Sequence, residues 1–259
     1  MAEGRGGAGA DPARLHYIHL QPSGFHVPPQ VSIFEKGVFA RLYWRFAHKY
    51  YAQDLLIDLK LAAKREAVSY IQEKMSDALM FKDRFALLEF AVKSTKLPGL
   101  ILEFGVEKGA SISLLANRAA PRVVHGFDAF LGLPDDWTGT FEQAGKFTMA
   151  GKPPAVPQNA KLHIGWFHET LPRFLGENRE PVAVLHVDCD IYSSTKTVFD
   201  HLGPRLQSGS TIVFDEYFNY PGWKNHEFKA FQEWVAASGR RYRYIGFSTE
   251  KGHVAVRIE

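Results

Sequence analysis

Four acidic residues are spaced so that a parallel sheet would bring them together. Asp188 and Asp190 follow one short apolar run, and Asp215 and Glu216 follow the next. If these runs are neighbouring strands about 4.8 Å apart, all four carboxylates meet at the carboxyl edge of the sheet, where open α/β sheets bind ligands. They cannot all stay ionised there without a cation or shifted pKa values, and a hard divalent ion such as Mg²⁺ would relieve the repulsion. The alternative is that Asp190 only caps the helix beginning near Ser193.

A glycine turn, residues 103–111 with the sequence EFGVEKGAS, lies between a predicted strand and a predicted helix. Gly105 and Gly109 let the backbone approach a ligand, and the helix N-terminus offers free N–H groups. Asp128 follows Gly109 by 19 residues, at the end of the next strand, where a carboxylate can accept both hydroxyls of a ribose. Together they indicate a nucleoside cofactor, although glycines at such turns are also common without a ligand.

The identity of that cofactor depends on the acid before the turn. The turn has GxxxG rather than the GxGxxG pattern of dinucleotide-binding proteins. Glu103 would repel a pyrophosphate and attract a cationic amino acid end, such as the ammonium of S-adenosylmethionine. The remaining candidates for the cofactor site are Ser111 in the turn, Phe130 after Asp128, and the strand-end pair Gly165 and Trp166. For Trp166, ordinary packing is the alternative.

The elements that would position these residues begin at Leu100, where short apolar runs start to alternate with amphipathic stretches. Strands are predicted at Leu100–Phe104, Val123–Phe127, Lys161–Ile164, Val182–Val187, Thr211–Phe214, Tyr242–Phe247 and Val254–Ile258. Helices are predicted at Ala110–Arg118, Ser193–Leu206 and Glu227–Ser238. Strands that are apolar on both faces and alternate with helices indicate an α/β fold with a doubly wound parallel sheet.

The domain organisation follows from the change in pattern near Pro98. Residues 1–14 are predicted to be a disordered tail, residues 15–96 an N-terminal helical extension, and residues 97–259 the domain that carries the site. One long irregular insert, Pro134–Pro157, interrupts that domain. Long loops in compact domains often cover active sites, so we expect a lid.

Composition excludes several classes of protein. Apolar residues make up 46% of the 259 residues, which is enough for a sizeable core. A single cysteine, Cys189, excludes internal disulfides and CxxC sites. The net charge of +3 is too small to argue for nucleic acid, and no apolar run approaches the length of a membrane span. We therefore expect a soluble cytoplasmic protein with a small-molecule substrate, and a homo-oligomer is left open.

Four segments taken in order resemble a known family. Residues 103–111, residues 126–134 (GFDAFLGLP), residues 186–195 (HVDCDIYSST) and residues 214–217 (FDEY) are similar to the macrocin O-methyltransferase family. Members of that family are class I S-adenosylmethionine-dependent enzymes that methylate hydroxyls on antibiotic sugars. The resemblance covers roughly residues 80–259, and the four motifs in sequence are specific where each alone is not.

The resemblance implies both a fold and roles for the acidic residues. It implies a Rossmann-like sheet of seven strands, the last one antiparallel. By the family pattern, Asp188, Asp215 and Glu216 are the Mg²⁺ ligands and Asp190 is the general base. The sequence departs from the family at Glu216, where the antibiotic enzymes usually have Asp.

The resulting prediction is methyl transfer from S-adenosylmethionine to a hydroxyl of a sugar or similar polyol, with Mg²⁺ assistance. Two alternatives stay open at this point. A nucleotide-binding oxidoreductase would need a pyrophosphate site, which the glycine turn and Glu103 disfavour. A non-catalytic binding protein on a methyltransferase scaffold would not need the complete set of acids.

Overall fold

The structure, a computed structural model, describes residues 38–50 and 54–259. The chain divides into two compact units, Met1–Asp54 and Leu55–Glu259. In the first unit, helix α1 (Val38–Tyr50) is described, whereas the predicted tail at residues 1–14 lies outside the described residues. None of the helices in the described ranges is both long enough and apolar enough to cross a bilayer.

The second unit contains one mixed sheet with helices on both faces. Its strands are β1 (Leu79–Phe81), β2 (Leu100–Phe104), β3 (Val124–Asp128), β4 (Ala160–Ile164), β5 (Val182–Val187), β6 (Thr211–Phe214), β7 (Tyr242–Ser248) and β8 (Val254–Ile258). Its helices are α2 (Leu55–Lys74), α3 (Arg84–Ser94), α4 (Ala110–Ala119), α5 (Phe167–Glu177), α6 (Tyr192–Leu202) and α7 (Glu227–Ser238). The strand order is β1-β7-β8-β6-β5-β2-β3-β4, and β8 is antiparallel to both of its neighbours.

The central strands are buried on both faces, which explains their continuous apolar runs. Alternate residues of β2 point to opposite sides: Leu102 and Phe104 join the core layer containing residues of α2, α5, α6 and α7, and Ile101 joins the layer containing residues of α3 and α4. The predicted doubly wound α/β sheet is therefore present. Its carboxyl edge collects the loops that follow β2, β3, β5 and β6.

Two elements differ from the sequence-based expectation. The sheet has an eighth strand, β1, which lies in a region predicted to be helical, pairs in parallel with β7 and forms one edge of the sheet. A three-residue strand is too short to produce a period-2 signal. Helix α5 was not predicted either, because Pro172 interrupts its pattern. Within the predicted helical extension, α2, β1 and α3 belong to the same compact unit as the sheet, and α1 belongs to the other unit.

The insert Pro134–Pro157 contains neither helix nor strand. Backbone hydrogen bonds attach it to the end of β3: Met149 and Gly151 both donate to the carbonyl oxygen of Phe130. Trp137 and Phe147 from this insert line the cavity described below. The insert therefore lies where a lid would lie, and lid movement stays a prediction.

Candidate active site

A cavity of about 680 Å³ opens at the carboxyl edge of the sheet. It is lined by the loops after β2, β3, β5 and β6, by the first residues of α5 and α6, and by the insert. Open α/β sheets bind ligands at this edge because the strand order reverses between neighbouring strands, which leaves a crevice. Here the reversal falls between β2 and β5, so the glycine turn lies beside the first pair of acids.

Asp128 organises the cofactor side of this cavity. Its Oδ2 accepts hydrogen bonds from the backbone N–H groups of Val106 (2.8 Å) and Glu107 (2.9 Å), and its Oδ1 accepts one from the N–H of Phe130 (2.6 Å). A carboxylate has about four acceptor sites, so it can hold these three donors and still accept from a ligand. Asp128 thus shapes the glycine turn and also faces the cavity.

Gly105 is required where the turn crosses the loop after β5. Its φ is +89°, and a Cβ at this position would lie 1.6 Å from the carbonyl oxygen of Asp188. Only glycine fits such a backbone crossing. The close approach holds the predicted cofactor loop directly against the loop that carries Asp188 and Asp190.

Glu103 does not line the cavity. It is fully buried, its Oε1 accepts a hydrogen bond from the hydroxyl of Ser111 (3.1 Å), and its Oε2 lies 3.1 Å from Nδ1 of His186. Burial raises the pKa of Glu103, and the contacts with His186 and Ser111 partly offset this effect. The carboxylate of Glu103 therefore does not reach the cavity, where the ammonium of S-adenosylmethionine was predicted to bind it. It contacts Ser111 and His186 instead, and so supports the glycine turn from inside the protein.

The structure brings the four predicted acids together, but in two sets. Ligand atoms of Asp188, Asp190 and Glu216 all lie within 4.8 Å of one another, and so do ligand atoms of His186, Asp188 and Asp215. Asp188 belongs to both sets because it lies between the ends of β5 and β6. Asp215 and Glu216 were predicted to bind one metal together with Asp188. In the structure Glu216 is grouped with Asp188 and Asp190, whereas Asp215 is grouped with His186 and Asp188.

Asp215 has two basic side chains as neighbours. Nη1 of Arg84 donates to its Oδ2 at 3.0 Å and lies 3.8 Å from Oδ2 of Asp188. Nδ1 of His253 lies 3.0 Å from Oδ1 of Asp215, at ion-pair distance. Burial alone would raise the pKa of Asp215, but His253, His186 and Arg84 outweigh it and hold this pKa below its ordinary value. Asp215 is therefore the acid whose charge the protein itself compensates.

The negative charges of the other three acids are less well balanced by basic neighbours. Burial, together with the charges of Asp215 and Asp190, raises the pKa of Asp188 well above its usual value. Burial and Asp215 likewise raise the pKa of Asp190 to about 7, and burial with Asp215 and Asp190 raises that of Glu216. Mutual repulsion in a poorly solvated site is what a bound cation relieves.

Asp190 does not cap α6. The residue that caps this helix is Ile191, without a side-chain hydrogen bond, and the side chain of Asp190 makes no hydrogen bond to any described residue. Asp190 adopts a φ of +64°, an uncommon conformation for a residue other than glycine, and its side chain faces the cavity. The capping alternative is thus absent from this arrangement, and Asp190 is placed to meet a ligand.

The predicted site residues divide by position. Those that line the cavity are Gly105, Ser111, Asp128, Trp166, Asp188, Asp190, Asp215 and Glu216. Glu103, Gly109, Phe130 and Gly165 lie behind its wall, where Gly109 precedes α4 with a φ of +80° and Phe130 binds Asp128 through its N–H. The binding roles of all twelve residues stay predictions.

Sequence reasoning missed two basic side chains and one buried acid. Arg84 comes about a hundred residues before the acids, and no pattern links it to them. His253 was recoverable, because Val254 pairs with Phe214 in the antiparallel register, which places His253 opposite Asp215. The buried acid is Glu227, whose Oε2 accepts a hydrogen bond from the backbone N–H of Glu216 at 3.1 Å.

Comparison with known proteins identifies the core of this unit. Residues 102–217 match the family model described as "Methyltransferase domain". They run from β2 to just beyond β6 and therefore contain the glycine turn, Asp128 and all four acids of the cavity.

Two curated relatives are O-methyltransferases according to their names. Demethyldecarbamoylnovobiocin O-methyltransferase of Streptomyces niveus is 27% identical over 158 residues, which are 52% of this chain and 58% of that protein. The 8-demethyl-8-(2,3-dimethoxy-alpha-L-rhamnosyl)-tetracenomycin-C 4'-O-methyltransferase of Streptomyces olivaceus is 40% identical over 53 residues, 20% of this chain and 19% of that protein. The chain thus matches less than two thirds of the length of either relative.

A solved structure of a calicheamicin methyltransferase is similar in fold. It has a TM-score of 0.54 and 23% identity, and the match covers 98% of this chain and 99% of that one. This likeness confirms the class I methyltransferase fold. The family model and the two curated relatives, which are O-methyltransferases by name, confirm the predicted resemblance to O-methyltransferases.

The cavity has a donor set suited to a divalent cation. The oxygens of Asp188, Asp190 and Glu216 are close together, and oxygen donors are what Mg²⁺ prefers. Oε2 of Glu216 is buried without a hydrogen-bond partner in the described part of the chain, and an unpaired buried acceptor can be satisfied by a cation. The residues present therefore fit the metal that the family resemblance implies.

Proposed function

We propose that this protein transfers a methyl group from S-adenosylmethionine to a hydroxyl of a sugar or similar polyol, with the assistance of Mg²⁺. The observation that carries the proposal is that one cavity contains both halves of such a reaction. The glycine turn and Asp128 line its cofactor side, and the four acids line its acceptor side. The close crossing at Gly105 joins the two halves rigidly.

On the cofactor side, Asp128 would bind the ribose and Trp166 would contact the adenine ring. Asp128 would accept the ribose hydroxyls while it continues to hold the N–H groups of the turn. Trp166, with Phe167 and His168, would provide an aromatic wall against the adenine ring. S-adenosylmethionine supplies a methyl group on a sulfonium, which leaves as a neutral thioether.

On the acceptor side, the protein must orient a hydroxyl and remove its proton. Methyl transfer is an in-line displacement, so the acceptor oxygen, the methyl carbon and the sulfur must be aligned. Asp190 has no hydrogen-bond partner of its own among the described residues and faces the cavity, so it is free to take the proton. Bound S-adenosylmethionine would supply the methyl group to the acceptor oxygen, and Asp190 would take the proton that the hydroxyl gives up.

The metal would be held by Asp188 and Glu216, with Asp215 completing the set if it turns away from Arg84. When bound, Mg²⁺ would lower the pKa of an acceptor hydroxyl and help to orient it. Arg84 and His253 meanwhile keep Asp215 ionised, as the direction of its pKa shift indicates.

A sugar-like acceptor is supported by two observations. The name of the relative from Streptomyces olivaceus specifies a 4'-O-methyltransferase whose substrate is a tetracenomycin C bearing a dimethoxy-rhamnosyl group. In this chain, the acceptor end of the cavity has several side chains that can hydrogen-bond to hydroxyls, namely Asp135, Ser193, Ser194 and Thr197. Trp137 and Phe147 add apolar surface beside them, as suits the apolar face of a sugar ring.

The test is turnover with a panel of glycosylated acceptors. The purified protein is incubated with S-adenosylmethionine and each acceptor, with Mg²⁺ or with a chelator, and products are examined by mass spectrometry for the gain of one methyl group. We expect methylation that requires Mg²⁺. Binding of NAD in preference to S-adenosylmethionine would instead support the oxidoreductase alternative, and cofactor binding without turnover on any acceptor would support a binding protein.

A further inference from the structure

One arginine side chain contacts carboxylates that the proposed metal would also use. Arg84 is the first residue of α3, and its Nη1 donates a hydrogen bond to Oδ2 of Asp215 at 3.0 Å. The same nitrogen lies 3.8 Å from Oδ2 of Asp188, at ion-pair distance. The side chain of Arg84 is partly exposed and lines the cavity. A positive charge of the protein itself thus already contacts one acid from each of the two loops.

The start of α3 fixes the position of this charge. Oδ1 of Asp83 caps the helix by accepting a hydrogen bond from the N–H of Ala86 at 2.9 Å. Leu87, in the first turn, is fully buried in the core. The guanidinium carbon also lies 5.0 Å from the centre of the Phe85 ring, at cation–π distance. Because the cap and the buried turn hold the helix, α3 presents Arg84 to the acids from a fixed position.

Arg84 contacts two of the four acids and leaves the other two without a basic partner. In the described part of the chain, neither Asp190 nor Glu216 has a basic side chain at ion-pair distance. These two acids and Asp188 have ligand atoms within 4.8 Å of one another. Asp188 is therefore common to the arginine and to the group of oxygens that suits a divalent cation. Two positive charges that share one carboxylate repel each other.

We propose that Arg84 competes with the divalent cation for Asp188 and Asp215, and so limits the affinity of the site for metal. The proposal rests on the proposed function, because the competing cation is the one assigned there to the acids. When no metal is bound, Arg84 balances the charge of the buried Asp215. When a divalent cation is bound at Asp188, the guanidinium is repelled, and Asp215 becomes available as a further ligand.

Removing the charge of Arg84 tests the competition. Mn²⁺ affinity is measured by electron paramagnetic resonance, with S-adenosylhomocysteine present, in the wild type, Arg84→Gln and Arg84→Lys. Gln removes the positive charge but keeps an N–H donor for Asp215, whereas Lys keeps the charge. Lys82→Gln removes a positive charge from an exposed side chain two residues earlier in the chain and is the matched control.

We expect Arg84→Gln to bind Mn²⁺ about 10- to 100-fold more tightly than the wild type, because a like charge a few ångströms from a cation repels it even where water screens the site. Arg84→Lys and Lys82→Gln should have affinities close to that of the wild type. A purely structural role of Arg84 predicts the opposite sign, since loss of a structural partner would disorder the acids and weaken the site. Unchanged or weaker Mn²⁺ binding in Arg84→Gln overturns the proposal.

A measurement on the wild type decides the question if Arg84→Gln fails to fold. Phenylglyoxal modifies accessible guanidinium groups, and mass spectrometry of the digested protein gives the reaction rate at each arginine. Protein loaded with Mn²⁺ should react several-fold faster at Arg84 than metal-free protein, because the guanidinium has been released from the acids. Arg173, an exposed arginine of α5, is the internal control and should react at the same rate in both samples. An unchanged or slower rate at Arg84 overturns the competition.

The role of Arg84 and the proposed function fail through different results. If the wild type binds Mn²⁺ and Arg84→Gln binds it no more tightly, the role of Arg84 fails, and the assay for methyl transfer is unaffected. If Mn²⁺ binds to Arg84→Gln but not to the wild type, the competition is supported, and the metal part of the proposed function fails. If neither protein binds Mn²⁺, both the competition and the metal part of the proposed function are overturned.

Discussion

Replacing Asp128 with Asn tests how the cofactor side of the cavity is built. Oδ2 of Asp128 holds two N–H groups, those of Val106 and Glu107, and Oδ1 holds that of Phe130. The single oxygen of Asn would therefore face the pair, and its NH₂ group would face the N–H of Phe130. One hydrogen bond is lost and two donors oppose each other, which should cost about 1–3 kcal/mol of the free energy of unfolding. For a domain of this size, the melting temperature should fall by about 2–12 °C.

The same substitution should also weaken binding of the cofactor. If Asp128 also accepts the ribose hydroxyls, loss of its charge should reduce affinity for S-adenosylhomocysteine by about 10- to 150-fold, which corresponds to about 1.5–3 kcal/mol. Urea unfolding without ligand measures the first effect, and isothermal titration calorimetry measures the second. Asp77→Asn, at an exposed carboxyl, is the control and should change neither quantity. Lower stability with unchanged affinity would refute the ribose role, and wild-type values for both would refute the whole account of Asp128.

Three further predictions concern the acids and the turn. Asp190→Asn should lower kcat by about 10²–10⁴-fold and leave the melting temperature and S-adenosylhomocysteine affinity nearly unchanged; near-normal kcat in steady-state assays would exclude Asp190 as the base. Exhaustive chelation should abolish turnover without preventing cofactor binding, and Glu216→Asp should remain active; full activity after metal removal would contradict the metal role. Gly105→Ala should destabilise the fold by several kcal/mol, because its Cβ would lie 1.6 Å from the carbonyl oxygen of Asp188 at a φ of +89°. Denaturant unfolding checks this last prediction, which a wild-type midpoint would contradict.

Several features of the fold could be predicted because their signals are local. The strands β2, β5, β6 and β8 begin and end at the predicted residues, since each is a short apolar run buried on both faces and bounded by polar or turn residues. Their order placed the acids at one edge of the sheet. β1 and α5 were missed because a three-residue edge strand and a helix containing Pro172 do not show the period on which such predictions depend.

The chemical composition of the site was also present in the sequence, but the pairing of its charges was not. Spacing alone predicts that four acids meet, because parallel strands end at a common edge. It does not predict that Arg84 and His253 would compensate Asp215 and leave Asp188, Asp190 and Glu216 as the closer group. Such partners come from distant parts of the chain, and side-chain direction decides which carboxylate they reach.

The sequence by itself thus determined the class of fold, the edge at which ligands bind and the residue types available there. The class of fold follows from the local periodicity of apolar residues. The position of the site follows because neighbouring parallel strands end at the same edge of the sheet. Only the tertiary structure decided that Glu103 is buried against His186 and Ser111, that Asp190 faces the cavity and does not cap α6, and that Glu227 accepts a hydrogen bond from the backbone N–H of Glu216. These features depend on contacts between elements that are far apart in the sequence. For Asp190, the direction of the side chain also depends on the backbone conformation of that residue.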